Sequence, residues 1–105
     1  MERYKVILVD DEAEAIDVMK VKICWDDIGF EVVGSATNGV KALELVEKLQ
    51  PDVVLTDIKM PYMDGLELSR KLRQDYPNIY IILCTGFDEF EYAKEAVHLE
   101  IKEYI

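Results

Sequence analysis

Apolar residues along this chain gather in short runs, separated by longer stretches of mixed polarity. The runs are Val6-Ile7-Leu8-Val9, Val32-Val33, Val53-Val54-Leu55 and Ile79-Tyr80-Ile81-Ile82-Leu83, and a fifth begins at Tyr104-Ile105. Most are continuous rather than alternating and rich in β-branched residues, the pattern of strands buried on both faces of a parallel sheet. They recur roughly every 21–26 residues, about the length that a strand, a loop and a three-turn helix consume. The segments between them carry helical spacing: Leu43, Val46 and Leu49 recur on one face of one, and Leu66, Leu68 and Leu72 mark another.

Helix boundaries are written into the same stretches. Asp11…Glu14, Asp64…Glu67 and Asp88…Glu91 have capping-box spacing, with Asp in the place of Ser or Thr. Asn38-Gly39 opens the second helix, and Gln50-Pro51 and Tyr76-Pro77 close two others, since proline cannot continue a helix. The succession β-α-β-α-β-α-β-α-β predicts one α/β domain over residues 1–105, built on a doubly wound parallel five-stranded sheet. The flavodoxin-like strand order 2-1-3-4-5 is the expected topology. No helix follows strand five, so one face of the sheet is expected to carry less cover than the other, as in a trimmed chain or one whose partner covers that face.

Composition narrows the function classes. Half of the 105 residues are apolar and about a third are charged, a globular mixture that excludes disorder and low complexity. No apolar run approaches the roughly 18 residues of a membrane span, and the N-terminus lacks the form of a secretory signal. Cys24 and Cys84 have neither metal-ligand spacing nor disulfide-scaffold density, which favours a reduced, cytosolic setting. Twelve basic residues against twenty-two acidic give a net charge of −10. Such a surface repels phosphate backbones and anionic lipids, so direct nucleic-acid or membrane binding is not expected, whereas divalent cations and basic protein surfaces are attracted.

In an open α/β sheet, ligands bind beyond the carboxyl ends of the strands, where the strand order reverses. In the order 2-1-3-4-5 that point lies between strands one and three. Strand one runs into Asp10-Asp11 and strand three into Thr56-Asp57, which brings three carboxylates to one crevice. Clustered carboxylates repel, and are relieved by protons, a cationic partner or a hard metal ion. Oxygen-only ligation with retained water suits Mg²⁺, and an aspartate carboxylate can act as nucleophile to form aspartyl phosphate. Two ordinary readings compete: Asp11 as a helix N-cap, worth about 1 kcal/mol, and Asp57 as the entry to a turn before Pro61.

Three sequence blocks, Ile7-Leu8-Val9-Asp10-Asp11-Glu12, Asp52-Val53-Val54-Leu55-Thr56-Asp57-Ile58-Lys59-Met60-Pro61-Tyr62-Met63-Asp64-Gly65 and Leu83-Cys84-Thr85-Gly86, resemble the receiver domain of bacterial two-component response regulators over the whole chain. Gly29-Phe30-Glu31-Val32-Val33-Gly34 and Phe90-Glu91-Tyr92-Ala93-Lys94-Glu95-Ala96 most resemble regulators with an arabinose-regulator-like helix-turn-helix output domain. The resemblance implies that Asp57 is the phosphoacceptor, taking a phosphoryl group from a sensor histidine kinase or a small donor. It implies that Asp10, Asp11, Asp57 and the backbone carbonyl of Lys59 bind Mg²⁺. Thr85 matches the switch hydroxyl and Tyr104 the switch aromatic. The implied partners are the kinase, a C-terminal DNA-binding domain in the full-length protein and, as an open reading, a second copy; the implied site of action is the cytoplasm. The family's lysine after the strand-five aromatic, the proline behind it and the last helix have no counterpart before the chain ends at Ile105.

The expected function is therefore a signalling switch that catalyses only its own phosphorylation and dephosphorylation, with a non-phosphorylated interaction module of the same fold as the alternative. A flavin carrier fits poorly, since the loop Asp10-Asp11-Glu12 repels a phosphate. An aspartyl phosphatase fits poorly too, because the acids after strand one are adjacent rather than spaced as Asp-x-Asp. His98 reads as a solvated residue, Trp25 as packing at the far end of the sheet, Cys84 as a small buried hydrophobe, and Met60 and Met63 as cover on a turn.

Overall fold

The computed structural model describes residues 3–84 and the backbone of Glu103–Tyr104. Strands β1 (Tyr4–Val9), β2 (Phe30–Ala36), β3 (Val53–Asp57), β4 (Tyr80–Cys84) and β5 (Glu103–Tyr104) form one sheet in the order β2-β1-β3-β4-β5. Every pairing is parallel. Helices α1 (Ala13–Lys22), α2 (Gly39–Leu49) and α3 (Gly65–Asp75) connect the strands, and a 3₁₀ turn spans Asp26–Ile28. The α/β class and strand order match the expectation from sequence. The expected fourth helix, with its Asp88…Glu91 start and His98, lies outside the described residues.

The alternation of side chains along each strand builds two apolar layers. Ile7, Val9, Val54, Ile81 and Leu83 face one side, where they pack with Ala42 and Val46 of α2 and Leu66, Leu68 and Leu72 of α3. Val6, Leu8, Val53 and Leu55 face the other, where Ile16 of α1 packs on them. Strands β1 and β3 are buried on both faces, as their continuous apolar runs predict. Strand β4 departs from that reading: Ile81 and Leu83 are buried, whereas Ile82 and Cys84, on the α1 side, are only half-buried. A groove of about 570 Å³, lined mainly by Tyr4, Phe30, Val53, Tyr80 and Ile82, runs along that side. The sheet is therefore less covered on this face among the described residues.

Two helix starts follow the sequence signals and one does not. Asn38 caps α2 by accepting the Lys41 N–H at 2.9 Å, and Asp64 caps α3 by accepting the Glu67 N–H at 2.8 Å. Helix α1 begins later than the Asp11…Glu14 spacing predicts. Its N-cap is Glu12, with no side-chain cap, and the Glu12 N–H is taken instead by the carboxylate of Asp10 at 2.9 Å. An aspartate bonding two residues ahead forms a local turn that outcompetes the cap. Asp11 is thereby left exposed rather than tied into the helix. The helix ends at Gln50 and Tyr76 fall directly before Pro51 and Pro77, as expected.

Removing a fully buried side chain leaves a cavity as well as losing its transfer energy. Leu68→Ala is expected to cost about 2–5 kcal/mol in urea unfolding, and Val21→Ala, on the exposed face of α1, about 0.5 kcal/mol or less.

Candidate acidic site

Strands β1 and β3 are neighbours in the sheet but not in sequence, and their carboxyl ends form one edge. Asp10 follows Val9, the last residue of β1, and its backbone N–H donates to the carbonyl of Ala36 at 3.1 Å, tying it to the end of β2 as well. Asp57 is the last residue of β3. Carboxylate oxygens of Asp10, Asp11 and Asp57 all lie within 4.8 Å of one another. Asp10 and Asp57 are half-buried and Asp11 is exposed, so the crevice opens to solvent on the Asp11 side.

Local bonds fix the two half-buried members. Oδ1 of Asp10 is engaged by the Glu12 N–H, and Oδ1 of Asp57 accepts the N–H of Ile58 at 2.8 Å. The Thr56 hydroxyl donates to the Asp57 carbonyl at 2.9 Å on the buried side. Beyond Asp57 the chain passes through exposed Lys59 and buried Met60, then turns at Tyr62, which is fully exposed with a left-handed φ of 70°. It returns at Gly65, whose N–H donates to the Ile58 carbonyl at 2.7 Å. A side chain at Gly65 would meet the Asp57 carbonyl oxygen and would lie 2.9 Å from Ile58 Cα. Position 65 thus requires glycine for close backbone approach, not for conformation.

Electrostatics follow from this crowding. Burial pushes the Asp10 carboxyl above its ordinary value; the Glu12 N–H opposes the shift, and the charges of Asp11 and Glu12 add to it. Burial also pushes the Cys84 thiol up to about 11, with the charges of Asp57 and Asp10 contributing. Three hard oxygen donors within 4.8 Å of one another fit a small divalent cation.

Of the residues singled out from sequence, Asp10, Asp11 and Asp57 are brought together. Lys59 lies two residues past Asp57 with its side chain exposed. Tyr104 falls on β5, opposite Leu83 in the parallel register, and Thr85 lies outside the described residues. Trp25 sits away from the acids, donating from Nε1 to the Met19 carbonyl at 3.1 Å and meeting Phe30 edge-on. Met60 is buried and Met63 packs against the core, consistent with cover. Gly65 is not singled out by sequence reasoning, although its place after the Asp64 cap marks a tight return. Cys84, read from sequence as a small buried hydrophobe, is half-buried and is the register partner of Asp57 on β4.

Ionising Asp10 is harder in the folded chain than in the unfolded one. Its stabilising contribution is full below the ordinary value of 3.8 and is lost as pH rises through the higher folded value. Asp10→Asn keeps an oxygen for the Glu12 N–H and removes the charge. The variant is expected to melt above the parent chain at pH 7 without divalent ions, with the gap closing as the pH falls below about 4. Added Mg²⁺ should raise the melting temperature of the parent but not of the variant. Gly65→Ala, by contrast, should lower both stability and divalent-ion affinity, read by thermal melting with and without Mg²⁺.

Comparison with known proteins agrees over nearly the whole chain. The sequence profile of the response regulator receiver domain matches residues 6–105. The chain is 45% identical over 102 residues to the uncharacterized transcriptional regulatory protein YesN of Bacillus subtilis, covering 97% of this chain and 28% of that protein. It is also similar to the solved receiver domain of AraT, a response regulator from Geobacillus stearothermophilus. That match has a TM-score of 0.89 at 41% identity and covers 97% of this chain and 79% of the other. A two-component transcriptional regulator AraC from Clostridium phytofermentans matches with a TM-score of 0.84 at 31% identity, over 97% of this chain and 77% of that one.

Proposed function

Because the chain belongs to the response regulator receiver domain family, we propose that it is a phosphorylation-controlled switch, with Asp57 as phosphoacceptor and Asp10, Asp11 and Asp57 holding Mg²⁺. The observation that carries this reading is the meeting of the three carboxylates, within 4.8 Å, at the carboxyl ends of two strands not adjacent in sequence.

The chemistry asked of the chain is positioning and charge compensation. The Ile58 N–H holds Oδ1 of Asp57 at the strand end. A carboxylate oxygen of Asp57 attacks the phosphorus of a phosphohistidine or of acetyl phosphate. The new O–P bond forms as the donor's P–N or P–O bond breaks, and the imidazole or acetate leaves. When bound, Mg²⁺ neutralises charge among the carboxylates and on the phosphoryl oxygens. Water attack at phosphorus later breaks the O–P bond, releasing inorganic phosphate and restoring the carboxylate. The protein is thus a signalling module rather than a metabolic enzyme.

Asp10 and Asp11 contribute ligands, with Lys59 adding its backbone carbonyl. The phosphoryl group brings a charge near −2 and strong acceptor oxygens. Thr85 is the hydroxyl that responds to it, and Tyr104 on β5 carries the change to the outer strand. The phosphoryl donor in the cell is a sensor histidine kinase. The likeness to a transcriptional regulatory protein of which this chain matches 28% supports a C-terminal DNA-binding output domain in the whole protein. It also supports a cytoplasmic setting. No helix among the described residues is long and apolar enough to cross a membrane.

Intact-mass measurement after incubation with acetyl phosphate tests this. One phosphoryl group should be gained with Mg²⁺, and the gain should be lost without Mg²⁺ and in Asp57→Asn. A gain that persists in Asp57→Asn would sink the assignment of that residue. No gain in the parent chain or in one extended by the family's lysine and last helix would favour a non-phosphorylated interaction module.

A further inference from the structure

Thr56 is one of two buried polar side chains among the described residues, Ser69 being the other. The Ser69 hydroxyl is satisfied inside its own helix, donating to the Gly65 carbonyl at 2.7 Å. Thr56 stands in the sheet instead. Its register partners are Val9 on β1 and Leu83 on β4. Both are fully buried and belong, with Val54 and Ile58, to the apolar layer under α2 and α3. A valine would suit such a place. A hydroxyl put there is costly unless it is bonded, so its partner explains it.

That partner is the carbonyl of Asp57, 2.9 Å away. The carbonyl and the N–H of Ile58 belong to one planar peptide unit, so fixing the first fixes the direction of the second. The Ile58 N–H in turn holds Oδ1 of Asp57 at 2.8 Å. Gly65 closes on the same carbonyl, where an added Cβ would meet it. Resting on the reading of Asp57 as phosphoacceptor and cation ligand, we propose that Thr56 is a positioning residue for it. The Thr56 hydroxyl sets the Asp57–Ile58 peptide plane, and that plane orients the carboxylate before a cation or phosphoryl donor arrives. The hydroxyl, buried in the apolar layer, acts through the backbone alone. What matters is the proton it donates, not the methyl group beside it.

Calorimetric titration with Mg²⁺, read beside the Ile58 amide resonance of the isotopically labelled chain, separates this from a packing role. Thr56→Val keeps the shape and removes the donor. It should weaken Mg²⁺ binding by roughly threefold to tenfold, the worth of a modest hydrogen bond, and displace the Ile58 signal. Thr56→Ala, also a non-donor, should do the same. Thr56→Ser loses the methyl but still donates; it should bind within about twofold of the parent and leave the signal close to its parent position. A packing role predicts the opposite grouping: Ser and Ala, which both leave a cavity, lose affinity together and Val is spared. That grouping, Ser losing as much as Val, or an Ile58 signal that Thr56→Val does not move would overturn the proposal and leave the cation site standing. A parent chain that takes up no Mg²⁺ would instead overturn the cation reading, and the Ile58 signal would still decide whether the hydroxyl orients Asp57. Two non-donor variants keep the comparison decisive where one of them folds poorly.

Discussion

Like charges fixed side by side are the constraint on which the rest of this structure depends. Three carboxylates meet within 4.8 Å, and nothing in their own chemistry favours that arrangement. They are held because the backbones that carry them are continuous with strands β1 and β3, whose Val6–Val9 and Val53–Thr56 are buried from both sides. The apolar layers supply the stabilisation and the acids draw on it. Burial first, and then the charges of Asp11 and Glu12, raise the Asp10 pKa, and the crowding of like charge makes the site receptive to a cation.

The loops around the site are shaped by the need to keep these backbones in place. Asp10 is tethered through its N–H to Ala36 and through its carboxylate to Glu12. Asp57 is pinned by Ile58, and the chain beyond it is drawn back by the bond from Gly65. The opening of α2 is clamped by Met63, whose side chain occupies the place where a Cβ on Gly39 would stand. The two capping residues, Asn38 and Asp64, set where α2 and α3 leave this edge. Together these contacts hold the backbones that carry the three carboxylates.

Much of this was legible in sequence because it rests on local rules. Continuous β-branched runs marked β1 and β3, prolines marked the ends of α2 and α3, and acids at the ends of runs one and three marked the crevice once the strand order was assumed. What escaped depended on competition or on neighbours across the sheet. Asp11 has good capping-box spacing, yet the turn closed by Asp10 claims the helix entrance first, an outcome set by which of two adjacent carboxylates reaches the Glu12 N–H. The half-exposed face of β4 was hidden because its run is as apolar as that of β1; exposure is decided by the layer above it, which the run does not encode. Gly65 looked like an ordinary helix start, because the backbone it must approach lies seven residues away, across the turn.

Cys84 illustrates how far such neighbour effects extend. Read along the chain it is a small apolar residue at the end of a strand, and its half-burial agrees. Read across the sheet it is the register partner of Asp57, because parallel pairing of β3 with β4 brings residues 57 and 84 to the same level. A strand's own pattern of apolar and polar residues states which face is buried, but not what stands beside each residue on it. In a parallel sheet that lateral order is fixed by register and strand order alone. The same topology that gathers charge between β1 and β3 also decides that Cys84 on β4 is the register partner of Asp57.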